Sequence, residues 1–145
     1  MIGLLQRVTE ASVTVEGRVV ASIGRGLLVL VAVTREDTEE AVSRLMERIL
    51  TYRVFPDDCK RMNLCLEELG LDLLLVPQFT LAADTRKGRR ASFTGAAEPE
   101  TGARFFDLMV KLAAERLSRV ESGIFGADMQ VALVNDGPVT FWLES

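Results

Sequence analysis

The chain of 145 residues contains no histidine, and no other absence restricts its chemistry as much. Without an imidazole there is no Ser-His-Asp or Cys-His triad, no histidine general base and no histidine metal ligand. Cysteine is nearly as scarce, with Cys59 and Cys65 the only two. Their spacing fits neither a CxxC redox motif nor a zinc ribbon. They read as ordinary thiols of a reducing compartment, with a regulatory disulfide as the alternative. One Trp and one Tyr offer no aromatic-rich platform for stacking bases. Gly24-Arg25-Gly26 lacks the third glycine of a dinucleotide loop, and neither a P-loop nor a GxSxG elbow occurs. The acidic residues show no spacing that nominates a metal pair or a glycosidase dyad, so neither metal nor cofactor is expected. The longest apolar runs, Leu27–Val33 and Leu71–Val76, are too short to span a bilayer. The opening Met1–Val13 has no basic region followed by an apolar core, so no signal peptide is read. The expectation is a cytoplasmic protein without membrane contact.

What is present describes one globular domain over residues 1–145. Apolar residues make up 48% and charged residues 26%, a composition that builds a core without staples. The net charge of −4 does not announce a nucleic-acid binder. Alternating apolar residues up to Val15, a turn at Glu16-Gly17 and a return over Val19–Ile23 predict a hairpin. Leu27–Val33 reads as a strand buried on both faces. Residues 38–52 read as a helix capped by Asp37, with Glu40 in the capping-box position. Its stripe is Val42, Leu45, Met46, Ile49 and Leu50. Val54-Phe55 suits a short strand, and Leu71–Leu81 a second buried one. A second helix is expected from about Glu98 to Leu117, with Pro99 in its first turn. Met129–Val134 and Val139–Leu143 read as two strands joined at Asn135–Pro138. Strands in adjacent pairs point to an α/β domain with mostly antiparallel or mixed sheet and two main helices, not to repeated βαβ units.

Three segments carry the chemical signals. In Gln78-Phe79-Thr80 a buried strand ends abruptly in polar groups, where free N–H groups can hold an oxyanion. The plain alternative is a strand terminus whose Thr80 and Asp84 cap the next loop. In Asn135-Asp136-Gly137-Pro138-Val139-Thr140, Pro138 falls where a returning strand needs ladder donors. Gly137-Pro138 is a candidate cis bond that would display carbonyl oxygens rigidly; a simple hairpin turn is the alternative. Arg86-Lys87-Gly88-Arg89-Arg90 holds four of the 17 basic residues. It is a footprint for phosphate, or else a solvated loop.

With these residues the sequence resembles the D-aminoacyl-tRNA deacylase family over essentially its whole length. The resemblance is carried by Gln6-Arg7-Val8, Ser12–Val15, Gln78–Asp84, Ala127–Val131 and Asn135–Leu143. It implies a three-layer β/β/α sandwich, a homodimer, no metal, and hydrolysis of the ester that joins a D-amino acid to the terminal adenosine of tRNA. Gln78, Phe79 and Thr80 would form the pocket floor. Gly137-Pro138 would be cis and inserted into the partner subunit's pocket as a chirality gate, with Arg7 holding it. Phe125 and Met129 would lie at the adenosine and substrate end, and Arg86, Lys87, Arg89 and Arg90 would contact tRNA phosphates. The chain departs from the family pattern at Pro77, where a serine is usual. A related branch that acts on L-alanyl-tRNA also carries Pro-Gln here, but with Ala in place of Phe79.

An activated ester needs little more than a positioned water and oxyanion donors, assisted in the family by the tRNA 2′-hydroxyl. Thr80 as a covalent nucleophile is the competing mechanism, but it lacks an evident base. A gate of carbonyl oxygens rejects L side chains and cannot exclude glycine, so glycyl-tRNA is also an expected substrate. The other readings are an RNA-binding module without catalysis and an esterase for small D-amino acid esters.

Overall fold

The computed structural model describes residues 1–145 and is organised around one long strand, β1 (Ile2–Val15). Glu16 and Gly17 follow with φ of 49° and 75°. Two successive residues in that region make the tight turn that matches strand twist. The chain returns as β2 (Arg18–Ile23), antiparallel to the second half of β1. β3 (Gly26–Ala32) then pairs with the first half of the same β1 edge, placing Ile2 opposite Ala32. Only glycine can start β3. A Cβ on Gly26 would lie 1.9 Å from the Asp72 carbonyl oxygen.

Helix α1 (Glu39–Thr51) crosses over, followed by a two-stranded ribbon of β4 (Phe55–Pro56) and β5 (Met62–Leu64) and one turn of helix α2 (Leu66–Leu69). β6 (Asp72–Pro77) lies parallel beside β3. A 3₁₀ turn over Phe79–Ala82 leads to an exposed segment and to α3 (Pro99–Ala114). β7 (Val120–Ser122) extends the parallel part, and β8 (Gln130–Glu144) covers the other edge of β1 along nearly its whole length.

Alternation along the inner strands creates two cores. Leu27, Val29, Val31, Leu73 and Leu75 face the larger one, with Ile49 and Leu50 of α1 and Phe105 and Met109 of α3. Leu28, Leu74 and Val76 face the smaller one, with Val8, Ala11 and Val13 of β1 and Ala21 and Ile23 of β2. Two cores separate three layers, so the β/β/α sandwich with a mixed sheet and two main helices holds. Side chains such as Leu45 and Ile49 are fully buried. Truncating either to alanine would cost about 2–5 kcal/mol.

Several local expectations are corrected. The cap of α1 is Thr38, whose hydroxyl accepts from Ala41 N. Asp37 is diverted, because its carboxylate takes the Met1 ammonium and Thr34 N. The strand expected to reach Leu81 stops at Pro77. The two strands expected at the C-terminus are one, β8, with no hairpin between them. β5, α2 and β7 are additions that the apolar pattern does not announce.

Candidate active site

Pro77 shapes the end of β6. Gly123 N donates to Leu75 O at 2.8 Å, and the next rung of that ladder would need an N–H on residue 77, which proline lacks. On the other side Gln78 N still donates to Val31 O at 2.7 Å. The strand is thus released toward β7 while β3 holds it, and it curls into the 3₁₀ turn. Leu81 N donates to Gln78 O, and Ala83 N to Thr80 O, each at 3.2 Å. The N–H groups of Phe79 and Thr80 head this turn, where no carbonyl of the turn can reach them. The Gln78 amide donates to the Thr80 hydroxyl.

Beside this turn lies a cleft of about 420 Å³, lined by Pro77, Gln78, Phe79, Phe125, Met129 and Val131 among others. The structure therefore brings Gln78, Phe79, Phe125 and Met129 together, with Thr80 next to them. Met129 is held by its sulfur, which accepts from Ile124 N at 3.3 Å. A Cβ at Gly123 would intrude to 2.8 Å from that sulfur. Gly102 of α3 gives Phe125 its seat, since a Cβ there would meet the ring at 3.1 Å. Neither glycine stands out in the sequence, because small residues seating a larger neighbour leave no local pattern. A second hollow, of about 470 Å³ on the outer sheet face, is lined by Glu10, Ser12, Ser22 and Val134 among others. It holds a single titratable group and no cluster.

The second group of expected residues lies apart. Gln6 faces Thr140 and Val8 faces Asn135, so Asp136–Val139 bulge opposite Arg7 alone. This removes Pro138 from the ladder, which is why a proline is tolerated inside a long strand. Gly137-Pro138 is cis, and both residues are exposed. Gly137 has φ of 150°, and a Cβ on it would lie 2.6 Å from a Val139 methyl group. Asn135 ties the bulge shut. Its Oδ1 accepts from Val139 N at 2.7 Å, and its amide donates to Val139 O and Thr140 Oγ1. Arg7 fastens the bulge to the body of the domain by donating to Asp136 O and Val54 O. Neither Gly137 nor Pro138 lines the cleft of its own chain.

The basic run divides. Arg86 is turned back on Asp84, with Nε at 2.9 Å and Nη2 at 2.7 Å from its carboxylate. That pairing holds the Asp84 carboxyl well below the usual carboxylate range. Lys87, Arg89 and Arg90 stay exposed. Both cysteines are free, and burial pushes the Cys65 thiol up, away from reactivity. No group of three or more Cys, Asp or Glu side chains is gathered to ligate a metal ion.

Open amides at a strand end, beside a mostly apolar cleft, are groups able to hold a negatively charged oxygen. The sequence model of the D-Tyr-tRNA(Tyr) deacylase family matches residues 4–144. A D-aminoacyl-tRNA deacylase of Thioalkalivibrio sulfidiphilus is 62% identical, covering 99% of this chain and 97% of the relative. One of Methylococcus capsulatus is 63% identical over 99% and 94%. A solved structure named c-Myc DNA Unwinding Element Binding Protein superposes with TM-score 0.95 at 38% identity, covering 100% of this chain and 99% of that one. A probable eukaryotic D-amino acid tRNA deacylase shares the fold, with TM-score 0.86 at 23% identity over 99% and 98%. The chain belongs to the D-aminoacyl-tRNA deacylase family.

Proposed function

We propose that the chain is a chiral proofreading hydrolase that cleaves D-aminoacyl-tRNA, and glycyl-tRNA, to free amino acid and tRNA. The observation that carries this reading is the pair of open N–H groups of Phe79 and Thr80 at the head of the 3₁₀ turn, beside the cleft that Phe79 lines. They suit an oxyanion that develops on the ester carbonyl. Water adds to that carbonyl carbon with the 2′-hydroxyl of the terminal ribose assisting. The ester C–O bond then breaks, and the ribose oxygen leaves with a proton. The ester is activated already, so orientation supplies most of what is needed.

The gate is the exposed Gly137-Pro138 of a partner copy in a homodimer, with its carbonyl oxygens gripping the substrate ammonium. An L side chain then meets protein, and a D side chain meets solvent. The reading places the enzyme in the cytoplasm, where tRNA is charged.

The test is hydrolysis of matched D-tyrosyl-, L-tyrosyl- and glycyl-tRNA with a chelator present. Rapid loss of the D and glycyl esters alone is expected. Cleavage of the L ester would mean the gate does not exclude by chirality. Binding without hydrolysis would favour a nucleic-acid-binding role, the reading suggested by the name of the structural neighbour at 38% identity.

A further inference from the structure

Two phenylalanines stand unusually bare at the edge of the cleft. Phe79 is 56% exposed and Phe93 is 42% exposed. Their rings pack with centroids 5.1 Å apart and planes tilted by 59°. Phe79 lines the cleft, whereas Phe93 does not, so Phe93 is one ring outward from the chemistry. It is also firmly mounted. On one side Ser92 exchanges backbone hydrogen bonds with Asp84, at 2.8 and 3.0 Å. On the other, Phe93 O accepts from Ala96 N at 3.0 Å, Arg35 N donates to Gly95 O at 3.1 Å, and Ala97 N donates to Val33 O at 3.0 Å. The Asp84–Ser92 bridge closes a small finger whose tip is Thr85–Ala91. Arg86, paired with Asp84, clasps its base. The exposed cations Lys87, Arg89 and Arg90 project from the same finger within six positions of Phe93.

A rigid exposed ring beside free cations is the combination that binds single-stranded nucleic acid, the ring under a base and the cations along the phosphates. We infer that Phe93 and the finger form a second nucleotide subsite, in which Phe93 stacks a base of the single-stranded acceptor end upstream of the terminal adenosine. The ligand is RNA and not a second copy of this chain. The finger presents three exposed cations that form no ion pair within the chain, which suits phosphates. The inference rests on the proposed aminoacyl-tRNA substrate and deepens it. The same enzyme would hold a tRNA through contacts that a minimal ester lacks.

The experiment compares the wild type with Phe93→Ala, Phe93→Leu and Phe93→Trp on D-tyrosyl-tRNA and on D-tyrosyl-adenosine. Loss of a stacked base raises KM for the tRNA ester about tenfold or more in the Ala and Leu variants. Their kcat stays unchanged, Trp restores KM, and all four proteins treat D-tyrosyl-adenosine alike. An unchanged KM for the tRNA ester in Phe93→Ala overturns the subsite. So does an equal loss on both esters, which would make Phe93 a prop for Phe79. A change of oligomeric state in Phe93→Ala that accounts for the loss overturns it too. Binding of a short RNA ending in cytidine-cytidine-adenosine, followed by anisotropy, separates this inference from the proposed activity. If no ester is hydrolysed but Phe93→Ala still weakens RNA binding, the subsite stands and the hydrolase reading falls. If hydrolysis proceeds and neither KM nor RNA binding moves, the subsite falls alone.

Discussion

Arg7 joins the exposed bulge to the body of the domain through Asp136. Its Nε donates to the Asp136 carbonyl oxygen at 2.9 Å, and its Nη1 donates to Val54 O at 2.6 Å. The guanidinium thereby spans β8 and the end of the α1 crossover. A charged donor to a carbonyl is worth about 1.5–3 kcal/mol, and lysine cannot reproduce the fork. Arg7→Lys should fold and still cleave the D ester. Its preference for D- over L-tyrosyl-tRNA should fall by about tenfold or more. An unchanged ratio would remove Arg7 from chirality control.

Gly137 is a sharper probe of the same device. With φ of 150° and a methyl group 2.6 Å from the site of a Cβ, even alanine has no room. Gly137→Ala should therefore displace the bulge and lower D-ester hydrolysis by orders of magnitude, while the thermal midpoint changes little because the bulge is exposed. Full activity in this variant would exclude the Gly137-Pro138 carbonyls from substrate contact.

Thr80 separates the two mechanisms. If water attacks and the main chain holds the oxyanion, Thr80→Ala loses only its hydrogen bond with Gln78. The rate should then fall by about tenfold, the worth of one such bond. A loss on the order of a million-fold, with an acyl-enzyme burst absent in the variant, would instead mark Thr80 as a covalent nucleophile.

The finger predicts a salt signature. Reversing Lys87, Arg89 and Arg90 to glutamate should weaken tRNA binding. For every phosphate that the variant no longer neutralises, the log–log salt dependence should flatten by about 0.7–0.9. Arg86→Glu should act differently, since it breaks the clasp on Asp84 and leaves the free cations in place. An identical slope in the triple variant would show that the finger is merely solvated.

Arg116 contributes one part of the pH dependence. It pairs with Glu67 at 2.7 Å and with Glu47, tying α2 to α1 just beyond α3. Its guanidinium lowers the Glu67 carboxyl below the ordinary value of 4.5. A depressed carboxylate stabilises the fold above its unfolded pKa and loses that contribution as pH falls through the folded one. Arg116→Ala should lower Tm by about 2–4 °C at neutral pH, the scale of a surface network in a chain this long. The difference from wild type should shrink below pH 4.5. A constant difference would locate the effect in packing of the arginine stem.

The parts of the fold legible in the sequence are those decided by local apolar pattern. Leu27–Val33 and Leu73–Val76 lie between two cores, and the stripe from Val42 to Leu50 packs on one of them. Long-range partners are not legible. Asp37 reads as a cap, but the Met1 ammonium claims it, and Thr38 takes the role. Pro138 reads as a break between strands. Only the pairing of β8 with β1 on both sides of Arg7 shows one strand with a bulge. Pro77 stands out as a departure from the family pattern, but nothing local marks it as the residue that ends β6. At the site, Gln78 to Thr80 stand out because polar residues follow an apolar run. Phe93 does not, because scarce Trp and Tyr suggest that no stacking surface exists. The basic run reads as a unit, although Asp84 two positions before Arg86 neutralises its first member.

The bulge in β8 is bounded by intact pairing, Gln6 with Thr140 on one side and Val8 with Asn135 on the other. The ladder therefore does not register how many residues stand between those two rungs. In evolutionary and engineering terms the projection is a cassette. Only the Gly137-Pro138 tip projects freely, because Asp136 is held by Arg7 and Val139 packs on the larger core, so a rewritten cassette must keep both anchors. Sequence change at the tip of this projection is thereby uncoupled from the walls of the cleft in the same chain, which neither Gly137 nor Pro138 lines.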